Sequence, residues 1–254
     1  MVVKALELPD LSPRELSVRI LDEDHWYVSE SSVYRILKAR GLITSPNYIV
    51  MKASSQFKDK PAKVHSLWQM DFTYFKIVGW GWYYQQSILD DFSYYIIAWE
   101  LCTNMCSDDV ENLVQKALEI TGLEKDQRPK LLSDNGSCYI AKDQKDFVRE
   151  EKIIHIHGKP YHPQTQGKIE RYNRSMKHIF KLENYYFPEE LERQIAQFID
   201  YYNNQRFHES LQNLTPADVF FGRDQEILAQ RELIKHNSIP QRRDLYLERK
   251  LALL

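Results

Sequence analysis

The sequence has few cysteines, no long apolar run and no overall excess of charge. Its three cysteines begin only at Cys102, so a disulfide framework is not expected. No apolar stretch has the length of a membrane span, and the first ten residues lack the apolar segment of a signal peptide. These absences predict a protein of a reducing compartment, the cytosol or nucleoid, with no membrane partner.

The charges are balanced overall but unevenly distributed. The net charge is -2, from 34 Lys and Arg and 36 Asp and Glu, which gives no general sign of a nucleic-acid partner. Between residues 131 and 180, however, Lys and Arg exceed Asp and Glu by three. A basic excess confined to one stretch of a neutral protein is typical of a local polyanion site.

The N-terminal segment contains signals for two short helices. Ser12 precedes a proline and is followed three residues later by Glu15, the pattern of a capping box. A second helix is expected to begin near Ser29, with Arg35 and Lys38 on its exposed face. Residues 1–43 therefore fit a DNA-binding helix-turn-helix. On this pattern alone they fit a helical hairpin that only packs equally well.

The rest of the chain changes in pattern several times. Residues 44–66 are mostly polar and contain prolines, which predicts a linker. Aromatic and β-branched residues then predict three antiparallel strands, followed by alternating helices and short strands. This order predicts one mixed α/β domain over residues 67–222. Residues 223–254 form a polar tail of uncertain structure.

Two pairs of residues in the strand region have more than one interpretation. Trp80 and Trp82 flank the first hairpin turn, and they are either exposed stacking surfaces or part of the core. Asp90 and Asp91 follow the second strand and are expected to form the next turn.

Three acidic residues stand at positions that the predicted fold can bring together. Asp71 lies within a strand and Asp134 ends a strand. Glu170 lies in the first turn of a helix, with 35 residues between it and Asp134. Considered alone, each of these acids is better explained as a solvated residue at a strand end or helix cap than as a metal ligand. Together at the strand ends they would repel one another unless a cation neutralised them. Oxygen ligands favour Mg²⁺ or Mn²⁺, and two such ions can clamp an in-line phosphoryl displacement.

The helix that carries Glu170 is otherwise basic. Residues 159–181 contain six Lys or Arg residues and a single acid. Arg174 and Lys177 follow Glu170 at helical spacing and therefore share its face. A metal-binding acid among cations suits a phosphodiester substrate, although the charges alone are also explained by a solvated face.

Several blocks of sequence resemble the integrase-core transposases, the DDE recombinases of bacterial insertion sequences that are related to retroviral integrases. The catalytic blocks are WQMDFTYF, LLSDNGSCY and KPYHPQTQGKIERYNRSMK, and the segment YYNNQRFHESLQNLTPADVFFG is similar to the end of that core. The similarity extends over about residues 64–222. It implies a ribonuclease-H-like mixed sheet flanked by helices, with Asp71, Asp134 and Glu170 as the catalytic, metal-binding triad.

The resemblance also implies the partners. The segment SPRELSVRILDEDHWYVSESSVYRILKARGLI is similar to the helix-turn-helix that precedes this core in such transposases, where it helps to bind element ends. The implied partners are double-stranded DNA, as element ends and as target, and further copies of this chain assembled on it. The candidate DNA contacts are Arg35, Lys38, Lys159, His162, Gln164, Lys168, Arg171, Arg174 and Lys177.

The sequence departs from its relatives near the N-terminus. Retroviral integrases begin with a zinc module of histidines and cysteines, and no cysteine precedes Cys102 here, so zinc is not implied. Many relatives carry further DNA-binding helices upstream or receive them from a second reading frame. A separately encoded helix-turn-helix partner is therefore a further expectation.

Three alternative functions account for part of the pattern. His155, His157 and Tyr161 suggest an HUH nuclease with a covalent phosphotyrosine, although that chemistry needs the tyrosine on a neighbouring helix. A catalytically silent derivative would bind DNA only. A metal-dependent nuclease would cleave without joining. The complete triad favours a transposase that performs both cleavage and strand transfer.

Overall fold

The computed structural model describes residues 1–43, 61–77, 79–157, 166–180 and 187–252. The chain divides into two compact units. One consists of Met1–Lys52, Phe207–Leu214 and Gly222–Leu254, and the other of Ala53–Arg206 and Thr215–Phe221. Most of the predicted linker over residues 44–66 lies outside the described residues.

The first unit is helical, and its helix caps are those that the sequence predicts. The Ser12 side chain accepts a hydrogen bond from the backbone N–H of Glu15, and the Glu15 carboxylate accepts one from the backbone of Ser12. The Ser29 side chain accepts from the backbone N–H of Ser32. The N-terminal helices are α1 (Val2–Glu7), α2 (Pro13–Asp24) and α3 (Glu30–Ala39), with a small core of Leu16, Ile20, Val33 and Leu37.

The second unit is built on a five-stranded mixed sheet with the order β3-β2-β1-β4-β5. The first three strands form an antiparallel meander, and the last two run parallel to β1. The strands are β1 (Leu67–Ile77), β2 (Gly81–Asp90), β3 (Ile96–Cys102), β4 (Lys130–Ser133) and β5 (Ile154–His157). The helices are α4 (Ser107–Thr121), α5 (Ser137–Ile140), α6 (Lys142–Glu150), α7 (Gly167–Phe180), α8 (Pro188–Asn204) and α9 (Pro216–Phe220).

Two apolar clusters cover the two faces of this sheet. On one face Trp68 and Met70 pack with α4, and on the other Ile77 and Leu89 pack with α7 and α8. Because successive side chains of a strand point to opposite faces, Asp71 lies on the face that α7 covers. The mixed α/β fold flanked by helices is therefore confirmed.

The segment after residue 222 forms a long helix that belongs to the helical unit. Helix α10 extends over Asp224–Leu251 and contains Pro240 in its interior. The Arg231 guanidinium forms a two-point ion pair with Asp22 of α2, and Arg242 donates to the carbonyl of Tyr27. Within the described ranges, no helix combines the length and the apolar character needed to cross a bilayer.

Candidate active site

The pairing of β1 with β4 brings two of the three predicted acids together. In this parallel pair, Gln69 lies opposite Leu132. Extending the register by two residues puts Asp71 level with Asp134, on strands about 4.8 Å apart. Glu170 lies in the first turn of α7, the helix that covers the Asp71 face.

Asp71 is the most strongly perturbed of the three acids. The pKa of its carboxyl is raised to about 7, first by burial and then by the negative charge of Asp134, with a smaller contribution from Glu170. Two donors oppose this rise: the backbone N–H of Phe72, at 2.9 Å, and Nδ2 of Asn173, at 2.8 Å. Asp134 and Glu170 therefore both act electrostatically on Asp71, and a cation among the three carboxylates would relieve this repulsion.

A tight turn at the end of β4 orients Asp134. Its Oδ1 atom accepts a hydrogen bond from the backbone N–H of Gly136 at 2.8 Å. A Cβ atom at position 136 would stand 3.0 Å from the same oxygen, which is closer than side chains normally approach. The absence of a side chain at Gly136 therefore allows this turn to hold the carboxylate.

The site offers oxygen atoms, the ligands that hard cations such as Mg²⁺ prefer. Carboxylate and amide oxygens suit Mg²⁺, and Oδ1 of Asn173 is buried with no hydrogen-bond partner among the described residues. In the same described ranges, no group of three or more His, Cys, Asp or Glu side chains is gathered closely enough to hold a metal ion. The residues thus fit a divalent cation in charge and chemistry, without forming a closed set of ligands.

Buried polar contacts attach the start of α7 to the sheet. Oε1 of Gln69 accepts from the backbone N–H of Ile169 at 3.1 Å, and its Nε2 donates to Asp91. Nζ of Lys168 donates to the carboxylate and to the backbone oxygen of Asp91, both at 2.6 Å. We call Gln69, Asp91 and Lys168 the α7 anchor. Since Glu170 follows Lys168 by two residues, the anchor sets the position of Glu170 relative to β1.

The α7 anchor is the part of the site that sequence reasoning missed. The expected turn role holds for Asp90, whose Oδ1 accepts from the backbone and the hydroxyl of Ser93. Asp91 instead binds Lys168 and Gln69, which lie 77 and 22 residues away in sequence. No local signal distinguishes these two adjacent aspartates.

The predicted DNA contacts on α7 differ in their surroundings. Arg171 and Arg174 are exposed. Nζ of Lys177 lies 4.1 Å from the centroid of the Tyr74 ring. Lys168 is engaged in the α7 anchor, which favours a structural role, and its DNA contact stays a prediction. Three further predicted contacts, Lys159, His162 and Gln164, lie outside the described residues.

The two predicted contacts on α3 lie on its outer side. Val33 and Leu37 are buried against α2, whereas Arg35 and Lys38 are exposed. The Arg35 guanidinium donates to the carbonyl of Ser31 one turn earlier on the same helix. The exposed face of α3 is therefore cationic toward its C-terminal end.

The two histidines of the HUH alternative form a pair on β5. The ring centroids of His155 and His157 are 4.2 Å apart, and the Ser133 hydroxyl is 2.8 Å from Nε2 of His155. Burial, and then the neighbouring His157, lowers the pKa of His155 to about 4, so its ring is neutral at pH 7. These contacts fit a structural pair that joins β4 to β5. Tyr161 lies outside the described residues.

The raised pKa of Asp71 makes the stability of the metal-free protein depend on pH. Between its ordinary pKa of 3.8 and the folded value of about 7, the folded state binds more protons than the unfolded state. The contribution of Asp71 to the free energy of unfolding is therefore expected to fall as pH rises through this range. Urea unfolding in EDTA, from pH 5 to 8, should show Asp71→Asn gaining stability relative to wild type as pH rises. A stability difference that does not change with pH would contradict this assignment.

Because Lys168 belongs to the α7 anchor, its replacement is expected to lower the free energy of unfolding more than replacement of its exposed neighbours on the same helix. Lys168→Ala leaves the buried Asp91 carboxylate without its cation, at a cost of about 2 kcal/mol in the free energy of unfolding. Arg171→Ala, on the same helix, is the matched control and should cost less than about 0.5 kcal/mol. Denaturant unfolding measures both. If Lys168→Ala weakened DNA binding at unchanged stability, Lys168 would be a DNA contact instead.

The sheet order and the placement of the acids together define a ribonuclease-H-like fold. Two family models, each described as the integrase core domain, match residues 61–163 and 151–216. Residues 61–216 therefore match the integrase core domain and have its ribonuclease-H-like fold. This confirms the resemblance found in the catalytic blocks at the level of the integrase core.

The chain is similar to parts of retroviral polyproteins. It is 36% identical over 111 residues to the Gag-Pro-Pol polyprotein of Mason-Pfizer monkey virus. It is 29% identical over 133 residues to that of mouse mammary tumor virus. The alignments cover 44% and 51% of this chain but only 6% and 7% of the polyproteins, so they reach one segment of much longer proteins.

Solved structures show the same fold. One chain of the simian T-cell lymphotropic virus intasome, in complex with the PP2A regulatory subunit B56 gamma, matches with a TM-score of 0.56 and 17% identity. The match covers 82% of this chain and 74% of that one. The HTLV-2 integrase catalytic core domain in complex with magnesium, in its trimeric form, matches with a TM-score of 0.50 and 18% identity, covering 63% and 98%.

Proposed function

We propose that this chain is a DDE transposase of a bacterial insertion sequence, which binds the ends of its element and catalyses metal-dependent DNA cleavage and strand transfer. One observation carries the proposal: within an integrase core, the pKa of Asp71 is raised to about 7 beside Asp134 and Glu170. A strongly perturbed acid that interacts with two further acids is typical of a functional centre.

The proposed reaction consists of two displacements at phosphorus. Water first attacks a phosphodiester at the element end, the bond to the 3′-oxygen breaks, and a free 3′-hydroxyl remains. This hydroxyl then attacks a phosphodiester of the target DNA and displaces the 3′-oxygen there, so that one bond forms for each bond broken. No covalent intermediate with the protein is formed, and neither step consumes a nucleotide cofactor.

The proposed roles of the chain's residues follow from their positions. Asp71, Asp134 and Glu170 hold Mg²⁺, as two ions that Mn²⁺ can replace, and the bound metal supplies electrostatic stabilisation at the scissile phosphate. The magnesium complex of the similar HTLV-2 core supports this choice of metal. Arg171 and Arg174 grip the phosphodiester backbone near the bond that is cleaved.

The helical unit supports the DNA-binding half of the proposal. Arg35 and Lys38, on the outer side of α3, are proposed to contact element ends as a helix-turn-helix does. We place this function in residues 1–43 and the chemistry in residues 67–222. Strand transfer joins element ends to a target, so the working form is proposed to be an assembly of several copies on DNA. A separately encoded N-terminal helix-turn-helix partner is proposed to join this assembly.

A supercoiled plasmid that carries the DNA flanking the reading frame tests the proposal. With Mg²⁺ or Mn²⁺ the wild type should produce nicked and joined products, and with EDTA it should produce neither. Nicks without joined products would indicate a nuclease. DNA binding without any product would indicate a catalytically silent derivative. Either of these two results would contradict the transposase assignment.

A further inference from the structure

An exposed cluster of aromatic and cationic side chains lies near the hairpin that joins β1 to β2. Tyr74 and Trp82 are 58% and 50% exposed, and their ring centroids are 5.6 Å apart in an edge-to-face contact. Nζ of Lys177 lies 4.1 Å from the centroid of Tyr74, and Nζ of Lys76 lies 5.7 Å from that of Trp82. We call these four residues the aromatic platform.

The stability of the hairpin alone is a weak reason for two exposed rings. Tyr74 lies opposite Tyr84 and Lys76 opposite Trp82, so the two rings are diagonal neighbours on one face of the sheet. Cross-strand aromatic contacts stabilise a sheet only modestly. Leaving a Tyr and a Trp half in water forgoes the stabilisation that burial of their apolar area would give. Such surfaces commonly serve to bind a partner.

Two elements connect the aromatic platform to the proposed triad. Along β1, Tyr74 follows Asp71 by three residues, a distance of about 10 Å, so its side chain lies on the other face of the sheet. Lys177 of α7 nevertheless reaches the Tyr74 ring, at 4.1 Å. Along α7, Glu170, Arg174 and Lys177 follow one another at steps of four and three residues and therefore share one helix face. A DNA strand whose scissile phosphate lies at the triad therefore has the platform within reach of its neighbouring nucleotides.

We propose that the aromatic platform binds unpaired nucleotides of the substrate DNA, next to the scissile phosphate. Bases stack on Trp82 and Tyr74, while Lys177 and Lys76 bind the phosphates. The combination of stacking rings with cations is the chemistry that recognises single strands without sequence preference. The identity of the substrate rests on the proposed function, whereas the binding itself does not require the reaction.

The energies allow bases to replace the present contacts. A base that stacks on an aromatic side chain generally gains more free energy than an exposed cation–π contact provides. Lysine stems are flexible, so Lys177 and Lys76 can leave the ring faces and keep their charge beside the strand. Stacking therefore gains more than the displaced contacts lose.

Fluorescence anisotropy in EDTA tests the platform without any cleavage. The three probes are a labelled blunt duplex, the same duplex with a four-nucleotide 3′ overhang, and the same duplex with a four-nucleotide 5′ overhang. Trp82→Ala should weaken binding of at least one overhang probe by about 5- to 100-fold and that of the blunt duplex by less than about 2-fold. Trp82→Phe, which keeps a stacking ring, should restore most of the loss.

Trp80→Ala is the matched control on the same hairpin. Trp80 is 54% exposed and faces Phe187, with ring centroids 6.5 Å apart. Its replacement should leave both affinities unchanged. Equal losses for blunt and overhang probes, an equal effect of Trp80→Ala, or no effect of Trp82→Ala would each overturn the proposal.

Two further measurements distinguish DNA binding by the platform from a folding defect and from an interface between copies. If Trp82→Ala does not fold, as judged by thermal unfolding, Lys177→Gln should still lower overhang affinity several-fold, and no loss would overturn the proposal. If sedimentation shows that Trp82→Ala changes the oligomeric state while both DNA affinities stay the same, the platform is an interface between copies. A chain that fails the plasmid assay but shows the overhang preference would refute the proposed reaction and leave the platform intact.

Discussion

Asp71→Asn, Asp134→Asn and Glu170→Gln are each expected to reduce DNA cleavage and joining by at least about 10³-fold. Each substitution keeps the shape of the side chain and removes the negative charge that a divalent cation needs. The three effects should not add, because residues that act as one unit fail together. DNA binding should remain within about 2-fold of wild type, since phosphate contacts dominate affinity.

Rates of nicking and joining, measured beside DNA affinity in EDTA, check this expectation. Asp200→Asn is the control, because Asp200 is an exposed acid on α8 in the same unit. It should leave both the rates and the affinity unchanged. If one of the three acids could be neutralised without loss of rate, it would not belong to the reacting centre. If binding and folding were lost together, the acids would be structural.

Arg231→Ala is expected to lower the free energy of unfolding of the helical unit by about 2–4 kcal/mol. The buried guanidinium makes two bonds to Asp22, at 2.7 and 2.8 Å, and donates to the carbonyl oxygens of Gln212 and Asn213. Alanine leaves these acceptors without their donor. The cost stays below that of a fully buried pair because Asp22 is partly exposed.

Denaturant unfolding followed by circular dichroism measures this loss. Lys235→Ala on the same helix is the control, because its ion pair with Glu232 is exposed and should contribute less than about 0.5 kcal/mol. A similar small change for Arg231→Ala would mean that α10 does not stabilise α2. The predicted loss would instead show that the N-terminal helices depend on a helix more than 200 residues away in sequence.

The elements with local signals were predictable from the sequence. Ser12 and Glu15 form the capping box that their spacing indicates, and alternating side chains identify β1 and its neighbours. The helix carrying Glu170 follows from its basic, amphipathic pattern. In each case, the contacts that form the element join residues a few positions apart along the chain or on adjacent strands.

Contacts between distant residues were not predictable. Asp91 looks like a second turn residue beside Asp90, and only the fold shows that it binds Lys168. Helix α10 lacks a clear apolar stripe and contains Pro240, so its sequence indicates no helix of 28 residues. Its contacts with Asp22 and Tyr27 provide the stability that local propensity does not. Likewise, only the structure shows that Trp80 and Trp82 are exposed.

The most direct test of the proposed metal centre is an anomalous diffraction measurement on crystals of the full chain soaked in Mn²⁺. We expect an anomalous peak for manganese, coordinated by carboxylate oxygen atoms of Asp71, Asp134 and Glu170 at about 2.1 Å. In Glu170→Gln the peak should weaken or disappear. A peak at the His155 and His157 pair, or none near Asp71 in a protein that cleaves DNA, would contradict the assignment of these three acids as the metal ligands.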